Sequence, residues 1–235
     1  LQEADKLAAL GTLAACVAHE VNSPLTAIAL SAEMLGRGLA DPADREEATA
    51  IADDARRTAT ALHDLLAFAR KGETEPAPVL LGDVVTRSVA TLRSLLRERR
   101  VAIDRNGETP AISVNGDASA LERVLINLII NATQAMESQG GERVIRIRVV
   151  EEGAAAVLSV EDSGPGFAPG AAERVFERFF TTKPAGKGTG LGLWMVADIV
   201  ARHGGTISAA DTGHGACFTV RLPAMQFSDG AEVAA

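Results

Sequence analysis

Cysteine is scarce in this chain, and its two copies, Cys16 and Cys217, stand far apart. That spacing makes a disulfide framework improbable and provides no metal-ligating thiol pair. A small buried residue is the preferred reading of Cys16, ahead of a redox role. Positive charge is also in deficit: 23 Lys and Arg against 31 Asp and Glu leave a net charge of −8. Such a surface repels a phosphate backbone, which argues against nonspecific nucleic-acid binding but leaves room for a local basic nucleotide pocket. No apolar run reaches membrane-spanning length, no signal peptide opens the chain and no internal repeat is present. No membrane contact by these residues and a reducing, cytoplasmic setting are therefore expected. The pattern is already helical at residue 1, which reads as a piece of a longer protein with any sensor or membrane anchor upstream. What is present is 235 residues, 47% of them hydrophobic. That is enough for one large domain or two small ones with a real core.

Two periodicities divide the chain. Residues 1–71 show no strand-like alternation. Leu10, Ala14, Val17, Val21, Leu25, Ile28, Ala32 and Leu35 step by three and four, a stripe close to a heptad seam. Gly36-Arg37-Gly38 ends that helix, and Asp41-Pro42 suits the start of another. A second stripe follows through Ala48, Ile51, Ala55, Thr58, Leu62, Leu65 and Ala69. Two amphipathic helices make a hairpin with a long apolar seam. A second copy completes a four-helix bundle, so a homodimer through residues 1–71 is expected. The alternative is packing of the stripe on the second domain.

Residues 72–78 read as a linker, 79–224 as the second domain and 225–235 as a frayed tail. In the second domain, 82–99 and 117–138 predict helices, as does a stretch from about 191 to 203. Strands are predicted at 101–105, 111–114, 143–150, 155–161, 206–210 and 216–221. Strands with helices on one face give an α/β sandwich, an α+β layer architecture.

The glycine-rich segment Gly186, Lys187, Gly188, Thr189, Gly190, Leu191, Gly192 runs into an apolar helix. Alternate glycines let the backbone approach a ligand and offer its N–H groups to phosphate oxygens, with the helix dipole adding to the attraction. It is not a Walker loop, since no Lys-Ser/Thr follows the last glycine, and no strand feeds it as a dinucleotide fingerprint requires. By itself it could be a flexible turn. Two more motifs point to a nucleotide. Asp162-Ser163-Gly164-Pro165-Gly166 follows a strand, where Asp162 can accept from an adenine amino group and Gly164 and Gly166 leave room for a flat base. An isolated β-turn is the plainer reading of that string. Asn127 and Asn131 lie at i and i+4 on one face of a strongly apolar helix, where unsatisfied amides are costly. An amide oxygen is a suitable hard ligand for Mg²⁺ beside phosphates.

These three motifs, in this order, resemble the Bergerat-type ATP-binding domain shared by histidine kinases, gyrase-type ATPases, Hsp90-type chaperones and mismatch-repair ATPases. The resemblance implies ATP with Mg²⁺ as cofactors, Mg²⁺ ligation by Asn131, adenine reading by Asp162, and closure of residues 186–192 over the phosphates. Residues 176–183, Phe-Glu-Arg-Phe-Phe-Thr-Thr-Lys, resemble the histidine-kinase F box, which implies that Lys183 approaches the γ-phosphate. The gyrase-type relatives place a glutamate general base four residues before the Mg²⁺ asparagine. Here that position is Asn127, which cannot take a proton, so water attack is expected to be slow.

Another nucleophile stands in the hairpin, in the string His19-Glu20-Val21-Asn22-Ser23-Pro24-Leu25. At about 100° per residue, His19 lies roughly 160–200° from Val17 and Val21, on the side away from the seam. Glu20 could accept the Nδ1–H and leave Nε2 free to attack. Adjacent helical residues do not ordinarily face each other, and Pro24, which removes the bond to the Glu20 carbonyl, provides a cause for the distortion needed. An exposed histidine is ordinarily a solvated residue, and no second His four residues on makes a zinc site. The string resembles the histidine-kinase H box. Taken with the ATP domain, this implies a two-component sensor histidine kinase core that phosphorylates His19 and passes the group to an aspartate of a response-regulator receiver domain. Ser23 stands where many such kinases carry Thr or Asn, so weak or altered phosphatase activity is expected.

Overall fold

The computed structural model describes residues 21, 24–69, 75–105, 111–137, 139–183 and 190–225, with the backbone alone at 57 and 60–69. Two compact units divide the chain: Leu1–Glu73 with Arg178–Gly192, and Thr74–Glu177 with Leu193–Ala235.

The first unit contains a hairpin of α1 (residues 24–38) and α2 (Pro42–Ala69). Pro42 opens α2, where its missing N–H costs nothing, and Asp41 Oδ1 accepts the Ala43 N–H at 2.8 Å as the cap. Small side chains set the helix contact. Ala29, Ala32, Ala52 and Ala55 are buried together, with Leu25 packed on them. Gly36 stays helical, and a Cβ there would lie 3.3 Å from that of Ala48. An ion pair joins Glu33 to Arg56 across the hairpin. The stripes thus divide by size. Their alanines face inward, while Val21, Ile28, Leu35 and Ile51 remain exposed on the single hairpin. Leu10, Ala14 and Val17, and the side chains of Leu62, Leu65 and Ala69, lie outside the described residues.

The second unit runs β1 (Ala77–Leu80), α3 (Leu81–Thr91), α4 (Arg93–Glu98), β2 (Val101–Asp104), β3 (Ser113–Gly116), α5 (Ala118–Ala135), β4 (Arg143–Glu152), β5 (Ala155–Asp162), α6 (Ala171–Arg174), α7 (Gly192–Arg202), β6 (Thr206–Asp211) and β7 (Ala216–Pro223). β1 and β3 form a two-stranded antiparallel sheet, and the main sheet has the order β2-β4-β5-β7-β6. β2 runs parallel to β4, and the other pairs are antiparallel. Period-two alternation sends Ile145, Ile147 and Val149 of β4 inward with Ala156, Leu158 and Val160 of β5. Against them pack Leu121, Val124, Leu125, Leu128 and Ile129 of α5. This is the α/β sandwich that the pattern implies.

Three differences from the sequence reading have local causes. The helix expected over 82–99 breaks at Leu92, whose φ of −92° and ψ of 4° leave the helix. Leu92 and Leu96 are both buried, so the second piece turns to keep its apolar side on the core. Ala77 and Pro78, read as linker, belong to β1 and pair with Gly116 and Asn115. A proline is tolerated there because β1 is short and pairs on one side only, with β3. Met225, read as tail, donates its N–H to the Ser113 carbonyl at 2.7 Å. Residues 226–235 lie outside the described residues.

Candidate functional site

The site starts from a carboxylate in a position that belongs to the core. Ala156, Leu158 and Val160 alternate inward along β5, and the same phase makes Asp162 inward-facing at the strand end. Its side chain is 2% exposed. Oδ1 accepts two backbone N–H bonds, from Gly164 at 2.8 Å and Ala216 at 3.3 Å. Oδ2 has no protein partner among the described residues. Burial raises the Asp162 pKa above the ordinary carboxyl value, and the two N–H bonds only partly oppose that. A buried carboxylate with one oxygen committed and one open is suited to a ligand donor.

Backbone without side chains surrounds it. A Cβ at Gly164 would lie 2.6 Å from Asp162 Oδ1, and one at Gly215 only 1.7 Å from the Asp162 carbonyl oxygen. Gly166 has φ of +75°, and a Cβ there would lie 2.3 Å from Asp211 Oδ2. Asp211 ends β6. Its carboxylate accepts the Phe167 N–H at 2.9 Å and the Gly213 N–H at 2.7 Å. Those bonds, Gly213 first, lower its pKa. Phe167 meets Phe218 edge-on at 5.6 Å.

The asparagines lie on α5, both half-buried. Asn127 donates one Nδ2–H to the Arg123 carbonyl at 3.0 Å, which commits part of its amide within the helix. Asp117 caps α5 through bonds from Ser119 and Ala120 at 2.8 and 3.1 Å, a device that contributes about 1 kcal/mol. His203, at the end of α7, holds the same turn. Its Nε2 accepts the Asp117 N–H at 3.0 Å while Nδ1 lies 2.8 Å from the Ile199 carbonyl, which sets the Nδ1–H tautomer. The helix bearing the asparagines is thereby tied to the helix that follows the glycine-rich segment.

The remaining described candidates belong to the segment Arg178–Gly192, grouped with the first unit. Phe179 donates its N–H to the Gly190 carbonyl at 3.0 Å, closing that loop at its base. A Cβ at Gly190, with φ of +65°, would lie 2.3 Å from the Phe179 carbonyl carbon. Phe179 itself has φ of +64° and is 71% exposed. Lys183 is half-buried, with its N–H on Thr181 Oγ1 at 3.2 Å, and Leu191 and Gly192 lead into α7. His19, Glu20, Ser23, Gly186, Lys187, Gly188 and Thr189 lie outside the described residues.

A family model described as "Histidine kinase-, DNA gyrase B-, and HSP90-like ATPase" matches residues 116–226, and one described as "His Kinase A (phospho-acceptor) domain" matches residues 9–74. The chain belongs to the sensor histidine kinases. It is 37% identical over 230 residues to sensor histidine kinase ZraS of Klebsiella oxytoca, covering 95% of this chain and 49% of that protein. Full-length ShkA, solved in complex with AMPPNP, superposes with a TM-score of 0.66 at 27% identity, over 92% of this chain and 46% of that one. Histidine kinase ThkA, solved in complex with response regulator TrrA, gives a TM-score of 0.64 at 25% identity, over 93% and 63%. The chain spans from 25% to 49% of the length of the curated sensor kinases it matches.

Sequence reasoning missed three residues of this site region: Asp211, Gly215 and His203. Gly215 lies in a Gly-x-Gly turn that was legible but unassigned. Asp211 and His203 act across 44 and 86 residues of separation, which no local pattern reveals. Among the described residues, no cluster of three or more His, Cys, Asp or Glu could hold a metal, and no helix is long and apolar enough to cross a membrane. Burial raises the pKa of Cys217, which does not favour the reactive thiolate.

Proposed function

We propose that this chain is an ATP-dependent protein-histidine kinase that phosphorylates His19 and passes the phosphoryl group to an aspartate of a response-regulator receiver domain. The observation that carries the reading is Asp162, whose buried carboxylate keeps one oxygen for an adenine amino group. The ShkA and ThkA neighbours, with AMPPNP and a response regulator respectively, support it.

In the proposed step the Nε2 lone pair of His19 attacks the γ-phosphorus. The bond to the β,γ-bridging oxygen breaks, a P–N bond forms and ADP leaves. Glu20 accepts the Nδ1–H and holds the attacking tautomer. Lys183 stabilises charge on the transferring group. The half-buried amide of Asn131 on α5 would offer Mg²⁺ a hard oxygen ligand, and the ion would neutralise phosphate charge. Asn127 does not replace the missing base, because an amide cannot take a proton from water. In the second transfer a receiver carboxylate oxygen attacks phosphorus and the P–N bond breaks, returning His19. Incubation with γ-labelled ATP and Mg²⁺ tests the reading. Acid-labile, alkali-stable label on the protein is expected, whereas free phosphate without labelled protein would indicate a hydrolase. A cytoplasmic location accords with the supply of ATP.

A homodimer belongs to the same proposal. Four alanine methyls buried in the hairpin contribute about 3 kcal/mol at ~0.8 each. Ordering a residue costs about 1–2 kcal/mol, so this interior does little towards ordering two helices alone. Burying Val21, Ile28, Leu35 and Ile51 on a second copy would add about 1.5–3 kcal/mol per side chain. Leu35→Glu is expected to turn dimer into monomer by sedimentation with ATP affinity kept; a dimer in that variant would place the interface elsewhere. Leu30 and Met34, 57% and 65% exposed, lie roughly 200–240° round α1 from Ile28. This is the face proposed to meet the receiver domain. Ser23→Thr is expected to speed dephosphorylation of the phosphorylated partner severalfold, followed by loss of label. An unchanged rate would remove Ser23 from that step.

A further inference from the structure

We propose that Asp211 is a positioning residue that fixes the adenine-reading loop 162–167 from behind and so sets the preference for adenine. The proposal rests on the reading of Asp162 given above.

The loop leaves β5 at Asp162 and must present Oδ2 to the base in one position. Two contacts at its start come from the β6–β7 turn and the first residue of β7. Ala216 donates to Asp162 Oδ1, and Gly215 lies so close to the Asp162 carbonyl that no side chain fits between them. The far end of the loop is held by Asp211 alone among these turn residues, through the Phe167 N–H at 2.9 Å. Its other oxygen accepts Gly213 N–H at 2.7 Å, which ties the carboxylate to its own turn. The turn is closed again by Thr212, whose N–H donates to the Gly215 carbonyl at 2.9 Å. Asp211 therefore spans the turn and the loop. Close approach of Gly166 to Oδ2 leaves the loop little space to shift towards it. A charged acceptor makes stronger N–H bonds than a neutral one, and the lowered pKa of Asp211 accords with both bonds being made by the ionised form.

Loss of this strut is expected to let the loop sample other positions without removing any group that touches nucleotide. Affinity for ATP then falls, and so does discrimination between ATP and inosine triphosphate, which lacks the amino group that Asp162 reads. The test measures Kd for both nucleotides with Mg²⁺ on the full chain in the parent, Asp211→Ala, Asp211→Asn and Asp162→Asn. Expected are a parent preference for ATP, a preference reduced at least about threefold in Asp211→Ala, and an intermediate value in Asp211→Asn, which retains one acceptor oxygen. General loosening of the fold would lower both affinities and leave their ratio unchanged. A folded Asp211→Ala with the parent ratio overturns the proposal, and if that variant does not fold, a parent ratio in Asp211→Asn does so. Should the ratio collapse in Asp162→Asn alone, the adenine reading stands and the role of Asp211 falls. A parent without preference for ATP removes both.

Discussion

Replacing His19 by alanine is expected to abolish acid-labile phosphoprotein while leaving ATP affinity within about twofold of the parent. Removal of a reacting nucleophile lowers turnover by at least about three orders of magnitude, because no neighbouring group restores the lost bond-forming step. Asp162, Asn127 and Asn131 all lie in the unit Thr74–Glu177 with Leu193–Ala235, whereas His19 belongs to the other. The residues proposed to bind base and Mg²⁺ are thus separable from the acceptor by mutation. Phosphorimaging after incubation with γ-labelled ATP gives the first quantity, and titration with nucleotide gives the second. Label that persists on another residue at the parent rate would remove His19 as acceptor. Weakened ATP binding would show instead that the substitution acts on the fold.

The second large effect is expected at Asp162, with opposite signs for binding and for the empty protein. Asn keeps the shape. Its Oδ1 would take the Gly164 and Ala216 N–H bonds, which orients Nδ2 towards the base. The adenine amino group is a donor too, so the substitution sets donor against donor. Loss of a bond to a charged acceptor, with one polar group left unsatisfied, costs about 3 kcal/mol, or roughly two orders of magnitude in Kd. For the nucleotide-free protein the sign reverses. Burial raises the Asp162 pKa above its unfolded value. The folded state then binds more protons than the unfolded state between those two values, and stability falls as pH rises through that window. Above that window the parent carries the whole cost of a buried anion, which Asn avoids. The expected result is an unliganded Tm equal to or above the parent's, with the ATP-induced rise in Tm removed. ATP affinity of the parent should also fall as pH is lowered through the raised pKa, since protonation removes the acceptor. A variant that binds ATP as the parent does would show that Asp162 does not read the base.

Much of this was legible in the residues. Alternation along 143–150 and 155–161 fixed which strand positions face the core, and the stripe through Leu121, Val124, Leu125, Leu128 and Ile129 identified α5. The alternation contained a further signal: two residues past Val160 the inward phase falls on an aspartate. A charged residue at a core position is a stronger indication of a site than its turn-like neighbours. The break at Leu92 was hidden because both halves share one apolar face. α6 was hidden by its length, four residues being too few for a helical period to show. Asp211 and His203 depend on strand register and helix placement. Each is unremarkable until the sheet brings Gly166 to Asp211 and Gly116 to His203.

Asp162 ends β5, a strand paired along one side with β4 and along the other with β7. The strand is therefore paired on both flanks as far as Glu161, and Asp162 itself pairs with Ile145 of β4 before any ligand arrives. On the proposed reading, little ordering entropy remains to be lost where Asp162 would meet the base, so the affinity contributed there is expected to be mostly enthalpic. Deuterium uptake at 158–162 should be slow in the empty protein and change little on saturation, making these amides a fixed internal reference against which nucleotide-dependent exchange elsewhere in the chain can be read.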